Sequence, residues 1–427
     1  MGKVAQNAVS NTDLASLALN RELVQTMDFS FSTKLDDWAV TNQERSGRCW
    51  LFATLNLFRV GAMKKMNLKD FEFSQSHLFF WDKLERSNHF LEAIIDTSER
   101  PVDDRTIHFL LSDPIGDGGQ WNMAMNLINK HGLVPKSAFP ESSSSSSSRL
   151  MNGVLKDFLR SAACEIRGIL DNGGSEEDAR QKKEERMVEI WKILCIHLGT
   201  PPESFDWQWR DKEGEFHRKG EMTPHQFAEE YVDVDWNDYV CIVNDPRNDY
   251  YRTYTVDCLQ NVSGGPPVVY LNVPSNEMKS ITQSILEDGS PVWMGCDVGK
   301  QMARKKGLWD ANLFEFQELY GVEFGMDKAD RLRFGQTMMT HAMLFTGVDV
   351  VDGKPRRWKV ENSWGSKESG VKGFFTMNDN WYDEHMFEIA SPKSYLTDEM
   401  LSGLEADPVT LPAWDPMGSL AMEEALN

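Results

Sequence analysis

Residues 41–53 read Thr-Asn-Gln-Glu-Arg-Ser-Gly-Arg-Cys-Trp-Leu-Phe-Ala and join a polar loop to an apolar segment with helical spacing. Cys49 stands at the junction, in the predicted first turn of the helix. Unpaired backbone N–H groups and the helix dipole lower the pKa of a thiol there, which favours the nucleophilic thiolate. Gln43 would donate a side-chain N–H to a developing oxyanion, and the backbone N–H of Cys49 would be the second donor. The stretch predicts a nucleophile at the start of a helix.

The apolar residues after the cysteine define the predicted helix. Phe52, Leu55 and Phe58 recur at helical spacing, and the run closes with Lys64 and Lys65, which suit a C-terminal end. Because the helix is apolar on most sides, we expect it to be buried. A cysteine before an apolar helix is also the pattern of an ordinary packed thiol, so a chemical role requires a partner base.

The partner base is predicted at His341, which opens an apolar segment. Asn362 follows 21 residues later, within Glu361-Asn362-Ser363-Trp364-Gly365. A histidine opening a strand can be held against a helix N-terminus, and an amide on the next strand can orient its ring. Cys49, His341 and Asn362 then form a catalytic triad, with the first two resting as a thiolate–imidazolium pair. Trp364 can lie over the hydrogen bond between histidine and asparagine and exclude water.

These residues resemble those of the papain-like cysteine peptidases, whose signature is a glycine, one residue, the cysteine and an aromatic. Here the signature reads Gly47-Arg48-Cys49-Trp50. It departs from the usual pattern in carrying Arg48, where serine or alanine is most common, and in lacking a second cysteine just upstream. A further match is Asp117-Gly118-Gly119-Gln120-Trp121, since the family binds substrate backbone at a Gly-Gly turn. Gly118 and Gly119 are therefore the predicted substrate-binding residues, together with Trp364.

The spacing of the motifs narrows the resemblance. Cys49 and His341 are 292 residues apart, against roughly 130 to 150 in an ordinary papain-like chain, so about one extra domain lies between them. Further motifs occur in the order found in the bleomycin hydrolase family, which the chain resembles over nearly its whole length. They are Phe71-Glu72-Phe73-Ser74-Gln75-Ser76, Phe79-Phe80-Trp81-Asp82-Lys83, Cys296-Asp297-Val298-Gly299-Lys300 and Leu411-Pro412-Ala413-Trp414-Asp415-Pro416-Met417-Gly418.

The resemblance implies an α+β, papain-like two-lobe fold, with a helical lobe, a β-barrel-like lobe, an inserted largely helical region and a C-terminal arm in the active-site cleft. We predict the N-terminal arm and helical lobe with the nucleophile over 1–141, and the inserted oligomerisation region over 142–250. The β-lobe with the catalytic histidine and asparagine is predicted over 251–407, and the arm over 408–427. The serine run 142–148 predicts a flexible surface loop.

Local patterns predict individual elements within these regions. Helices are predicted over 123–131, over two stretches of 150–195 that are broken at 171–174, and over 276–287. Strands are predicted over 251–256, 291–297 and 373–377.

The resemblance also implies a function. A member of this family is a cysteine aminopeptidase that acts on peptides with a free N-terminus, through thiolate attack and an acyl-enzyme, as a homohexamer. It also implies hydrolysis of the amide of bleomycin and of homocysteine thiolactone. The arm's terminal carboxylate would face the ammonium group of the substrate. Because this chain continues beyond Met417-Gly418 to Asn427, we expect the enzyme to trim its own tail to near Ala421.

Three other functions remain open from the sequence. A papain-type endopeptidase would share every catalytic residue and lack only the blocking arm. A transglutaminase-like or acyltransferase site usually has aspartate where this chain has Asn362. A scaffold without catalysis would have lost Cys49.

The composition limits where the protein can be located and what it can bind. The 427 residues include no apolar run long enough to span a membrane, and the N-terminal residues lack the apolar core of a signal peptide, so we expect a cytoplasmic protein. The six cysteines are scattered without metal-ligand spacing, which predicts reduced thiols and neither a metal nor a cofactor. The net charge of −21 and the lack of a dense basic cluster make nucleic-acid binding an unfavoured function.

Overall fold

A computed structural model describes residues 2–35, 38–367 and 369–421. Its helices are α1 (Lys3–Asn11), α2 (Leu14–Ala18), α3 (Arg21–Thr26), α4 (Cys49–Met66), α5 (Gln75–Asp96), α6 (Arg105–Ser112), α7 (Trp121–His131), α8 (Ser143–Ser146), α9 (Arg149–Asp171), α10 (Glu176–Leu198), α11 (Pro224–Tyr231), α12 (Ser275–Glu287), α13 (Phe316–Tyr320), α14 (Lys328–Arg333), α15 (Asp379–His385) and α16 (Asp398–Leu404). Its strands are β1 (Thr33–Lys34), β2 (Phe205–Arg210), β3 (Phe216–Met222), β4 (Tyr239–Val243), β5 (Arg252–Val256), β6 (Tyr270–Asn272), β7 (Val292–Cys296), β8 (Met302–Ala303), β9 (Leu308–Trp309), β10 (His341–Val351), β11 (Lys354–Glu361), β12 (Phe374–Asn378), β13 (Met386–Pro392) and β14 (Val409–Leu411).

The helical lobe is built around α4, which is buried on nearly all sides. The helix ends where Asn67 adopts a left-handed conformation and its N–H caps the last turn, as a C-terminal stop requires. Helices α5 and α7 pack against α4, and α9 and α10 pack against α5. The predicted inserted region therefore extends the helical lobe rather than standing apart from it.

The second lobe is a mixed, twelve-stranded sheet in the order β14-β5-β6-β4-β13-β7-β10-β11-β12-β9-β8, with β1 also paired to β10. Strand β10 lies between β7 and β11, and both pairings are antiparallel. His341 faces Cys296 across the β7–β10 pair. The predicted combination of a helical lobe and a β-rich lobe in a papain-like α+β fold is confirmed.

Most predicted elements match the structure closely. The segments 123–131, 276–287, 291–297 and 373–377 correspond to α7, α12, β7 and β12, and the two stretches of 150–195 are α9 and α10. Strand β4 pairs with β13 and β6 of the large sheet, although it lies within the predicted insertion 142–250. We therefore propose that the insertion ends before residue 239.

The prediction of a flexible loop over the serine run 142–148 is wrong. Residues 143–146 form the short helix α8, and Ser142 and Ser145 cap each other's backbone N–H groups reciprocally. Ser145 and Ser148 are buried. The run is ordered by neighbours far away in sequence, because the backbone of Arg45, in the loop before the nucleophile, bonds to Ser146 and Ser148.

The described helices include none that combines the length and the apolar character needed to cross a membrane.

Candidate active site

Cys49, the predicted nucleophile, lies at the helix start that the sequence predicts. Cys49 is the first residue of α4 and is fully buried. Helix α4 contacts β10, the strand that His341 opens. Two tryptophans fix the first turn, because Trp50 Nε1 donates to Asp117 O at 2.7 Å and Trp293 Nε1 donates to Trp50 O at 3.3 Å. The helix N-terminus therefore has a rigid position against the sheet.

The predicted base and its orienting amide meet directly. The Nε2 and Oδ1 atoms of His341 and Asn362 are 2.8 Å apart, and both residues are buried. Because the amide oxygen can only accept, Nε2 carries the proton and Nδ1 carries the lone pair. The Nδ1 atom has no hydrogen-bond partner. This tautomer is the one that a general base requires to take a proton from a thiol.

Trp364 covers this pair as the sequence predicts. Its ring lies 4.9 Å from the His341 ring between centroids, and only 5% of Trp364 is exposed. The guanidinium of Arg304 lies over the same indole at 4.4 Å. Burial lowers the pKa of His341 to about 4, the hydrogen bond to Asn362 opposes this shift, and the charge of Arg304 adds to it. The closed cleft thus favours a neutral imidazole, and the resting ion pair stays a prediction.

Gln43 is buried beside the nucleophile loop with its amide fixed at both ends. Its Nε2 donates to Ser46 O at 2.7 Å, and its Oε1 accepts from Ser363 Oγ at 2.6 Å. The amide nitrogen carries two hydrogens, of which Ser46 takes one. Its predicted donation to an oxyanion remains a prediction.

The two glycines of the predicted substrate turn have different surroundings. Gly119 packs so closely on Trp50 that a Cβ atom would lie 2.5 Å from the indole. Its N–H donates to Ala421 O at 3.3 Å. The carbonyl of Gly118 accepts instead from Arg86 Nη2 at 2.9 Å. Gly119 is therefore the glycine that meets an extended chain, whereas the binding role of Gly118 stays a prediction.

The extended chain that lies at Gly119 is the protein's own C-terminal segment. Ala421 forms an isolated antiparallel bridge with Gly119 and is fully buried. Ser419 Oγ donates to Met339 O at 2.7 Å, and Gln120 Nε2 donates to Ser419 O at 2.6 Å. An extended peptide bound by main-chain bonds is the usual form of peptide recognition at such an edge. The tail beyond Ala421, on which the expected trimming falls, lies outside the described residues.

Asp117 is a supporting residue to which the sequence motifs assign no role. Its carboxylate accepts from Lys83 Nζ at 2.6 Å, from Asn152 Nδ2 at 2.6 Å and from Gly47 N at 3.1 Å, and also from Ser148 Oγ. Burial raises the pKa of Asp117, but Lys83 and these hydrogen bonds outweigh it and hold that pKa well below its usual range. A charged residue next to the Gly-Gly pair was the signal available in the sequence.

Arg48, the departure from the family signature, is fully buried and paired. Its Nη1 donates to Glu141 Oε1 at 3.0 Å and its Nε donates to Ser46 Oγ at 2.8 Å. Its guanidinium also lies over the rings of Phe52 and Phe79 at 5.2 Å. The arginine ties the nucleophile loop to the segment that precedes α8.

A second buried ion pair joins the nucleophile helix to the asparagine strand. Arg59 on α4 contacts Glu361 at 2.7 Å, and each side chain is only 1% exposed. Trp38 Nε1 and Asn56 Nδ2 also donate to Glu361, at 2.6 and 3.0 Å. Because Glu361 directly precedes Asn362, this network fixes the distance between α4 and the end of β11.

One group among the described residues brings potential metal-ligand atoms together. Asp211, Glu215 and His217 place such atoms within 4.8 Å of one another, on the β2–β3 hairpin. The Asp211 carboxylate already accepts from two backbone N–H groups of that turn, which accounts for its position. The group does not include any residue of the predicted triad.

Comparisons with known proteins identify the family of the chain. A family model described as the Peptidase C1-like family matches residues 1–418. Bleomycin hydrolase from Rattus norvegicus is 43% identical, with 98% of this chain and 94% of that protein covered. Aminopeptidase C from Streptococcus thermophilus is 44% identical, with coverage of 97% and 94%.

A solved structure matches equally well. The crystal structure of PepW from Lactobacillus rhamnosis HN001 superposes with a TM-score of 0.96 at 42% identity, over 98% of this chain and 95% of that chain. With the buried cysteine at the start of α4 and the His341–Asn362 pair, these matches show that the chain belongs to the Peptidase C1-like family and is a cysteine peptidase.

Proposed function

We propose that this protein is a cysteine aminopeptidase of the bleomycin hydrolase type, which removes N-terminal residues from peptides. The observation that carries the proposal is the hydrogen bond from Gly119 to Ala421, with Ser419 held by Gln120 and Met339. The arm occupies the position where a longer substrate would extend its chain on the N-terminal side of the nucleophile. A substrate must therefore begin close to the scissile bond.

The chemistry follows from the neutral tautomer of His341. Its Nδ1 takes the thiol proton as Cys49 attacks the carbonyl carbon, and the imidazolium then gives that proton to the leaving amine. Asn362 keeps Nε2–H oriented throughout. Gln43 and the backbone N–H of Cys49 would stabilise the oxyanion, and each such donor typically lowers the barrier by about 3–4 kcal/mol. Water then releases the acyl group from the thioester.

Tail trimming would complete the substrate-binding site. A chain that ended at Ala421 would carry a carboxylate close to the reacting centre, where it can attract the ammonium group of a free N-terminus. We propose that the enzyme removes residues 422–427 itself. Intact mass of active protein and of Cys49→Ala tests this step, and equal masses that still include the tail would contradict it.

The proposal extends to the substrates, the assembly and the location. Because relatives carry the name bleomycin hydrolase, we include the amide of bleomycin among the proposed substrates, and homocysteine thiolactone because it also reacts by acyl transfer. A homohexamer is the proposed assembly. The cytoplasm is the proposed location, since none of the six cysteines, all of which lie within the described residues, forms a disulfide, as expected in a reducing compartment.

The deciding experiment compares an aminoacyl fluorogenic amide with its N-acetylated form. Wild type should cleave only the free amine, Cys49→Ala should cleave neither, and Cys164→Ala, which alters an exposed thiol, should behave as wild type. Cleavage of both substrates by wild type would overturn the aminopeptidase proposal and favour a papain-type endopeptidase.

A further inference from the structure

We propose that Arg105 and Arg247 position the C-terminal arm, residues 408–421, so that Ala421 meets Gly119, and that they thereby set the selectivity for a free N-terminus. The inference rests on the proposed function and adds to it the residues that determine the exopeptidase selectivity. Both arginines would act through the arm and not on the reacting atoms.

Arg247 binds the arm through a two-sided ion pair. Its Nη2 contacts Asp415 Oδ1 on the arm and Asp245 Oδ2 in the β-rich lobe, each at 2.8 Å. Its Nη1 and Nε add bonds to Asp415 at 3.3 Å and to Asp245 at 2.9 Å. The arginine and both aspartates are 3–13% exposed in their side chains. A planar guanidinium held at both edges gives a fixed direction as well as attraction.

Arg105 holds the preceding arm residue from the opposite lobe. It is the first residue of α6, and its guanidinium lies 3.9 Å from the centre of the Trp414 ring. A guanidinium over the face of an indole is attracted by the ring's quadrupole, so this contact favours one position of Trp414. Trp414 and Asp415 are therefore anchored to different lobes at consecutive positions.

The segment beyond the anchors has little freedom to change its reach. Asp415 Oδ1 accepts from Met417 N at 2.9 Å, which starts the 3-10 turn Pro416–Gly418. Ser419 then bonds to Met339 and Gln120. With Asp415 fixed, this turn sets where Ala421 falls relative to Gly119. If the anchors release, the arm can withdraw and internal peptide bonds gain access to the cleft.

The test measures the ratio of kcat/KM for an N-acetylated peptide amide to kcat/KM for the same amide with a free amine. Variants are Asp415→Asn, Arg105→Ala and the double variant, with Arg105→Lys as the conservative rescue. Matched controls are Arg218→Ala, which removes a guanidinium 5.5 Å over Phe216, and Asp349→Asn, which removes an ion pair to Arg356. Thermal melts check that each variant is folded.

We expect the ratio to rise at least tenfold in the double variant and less in each single variant. Arg105→Lys and both controls should keep the wild-type ratio. If the double variant folds and its ratio is unchanged, while wild type is still selective for the free amine, the inference is overturned and the proposed function stands. If Asp415→Asn does not fold, the single variant Arg105→Ala, at an exposed position, decides the question. An unchanged ratio in that variant then overturns the inference. A wild type that cleaves both substrates equally overturns the proposed function and this inference with it.

Discussion

At the residue scale, the site depends on how one imidazole is held. Asn362 fixes the proton on Nε2 of His341, and Trp364 covers the ring from the side. The fully buried Nδ1 has no other hydrogen-bond partner. Without the asparagine oxygen, the ring could rotate or change tautomer, and the lone pair would no longer be presented in one direction.

Asn362→Ala is therefore expected to lower kcat on the order of 100-fold, because a positioned general base contributes about 10²–10⁴-fold. Steady-state kinetics on the aminoacyl amide measures the loss, and circular dichroism checks the fold. Asn378→Ala, which removes a bond to Asp310 at 2.6 Å on another strand, is the matched control. A kcat within threefold of wild type would contradict the assigned role of Asn362.

The Gly119→Ala variant should be less stable and less active than wild type for a steric reason. The added methyl group would lie 2.5 Å from the Trp50 indole, which forms part of the buried nucleophile helix. Overpacking of this kind costs typically about 1–3 kcal/mol and would displace either the turn or the indole. We expect a lower melting temperature and a loss of activity. Gly299→Ala meets open space and serves as the control, so equal effects at both positions would refute the explanation.

At the element scale, the start of α4 is held by Asp117 and the serine helix α8. Asp117 links Lys83 on α5, Asn152 on α9 and the backbone of Gly47. With Ser148, the N-cap residue of α9, these bonds come from three separate parts of the chain. The loop that carries Cys49 is therefore tied to α5 and α9 through Asp117.

Asp117→Asn should destabilise the protein by about 3–5 kcal/mol, because it leaves the ammonium of Lys83 buried without its charge partner. The pKa of Asp117 lies below its ordinary value. Its contribution is therefore present above the unfolded pKa near 4 and is lost progressively as the pH falls from there through the lower folded pKa. Urea unfolding at pH 7 and pH 3 measures both effects. Asp103→Asn, at an exposed position, should change neither midpoint.

The elements that the sequence predicts are those whose cause is local. Helix α4 follows from periodic apolar residues and strand β10 from the apolar segment that His341 opens. Cys49, His341 and Asn362 follow from short local motifs. The serine run has no such periodicity, and its order comes from Arg45 and Asp117, which are distant in sequence. Arg105 and Arg247 belong to no motif, because what they bind is decided only by the folded position of the arm.

At the scale of the whole molecule, the arm closes a space where both lobes meet. Glu388 on β13 lines this space with Gln120, Met339, Pro416 and Met417. The carboxyl is 2% exposed and its Oε1 has no hydrogen-bond partner. Burial raises the pKa of Glu388 to about 8, and a hydrogen bond with Cys241 opposes the shift only in part.

The stability of the folded protein should therefore fall as the pH rises from about 4.5 to about 8. Because the folded pKa of Glu388 lies above the unfolded value, its contribution is present below about pH 4.5 and is lost as the pH rises to about 8. Glu388→Gln should remove this slope and be more stable than wild type at pH 8 by about 4 kcal/mol, at about 1.4 kcal/mol per unit of the pKa difference. Thermal melts from pH 5 to pH 9 test it. Glu99→Gln, at an exposed position, should keep the wild-type slope, and a parallel curve for Glu388→Gln would disprove the assignment.

The hydrogen bond between Gly119 and Ala421 also makes the arm a ligand that any substrate reaching past Ala421 must displace. A short tether holds such a ligand at an effective concentration in the millimolar range. A peptide at about 10 µM that needs the same space would have to bind roughly a hundredfold more tightly than the tail to displace half of it. A peptide whose N-terminus lies where the arm ends does not have to displace the arm. Long chains are thus excluded because they compete with the arm for the same site. Diluting the enzyme does not weaken this competition, because the arm belongs to the same molecule.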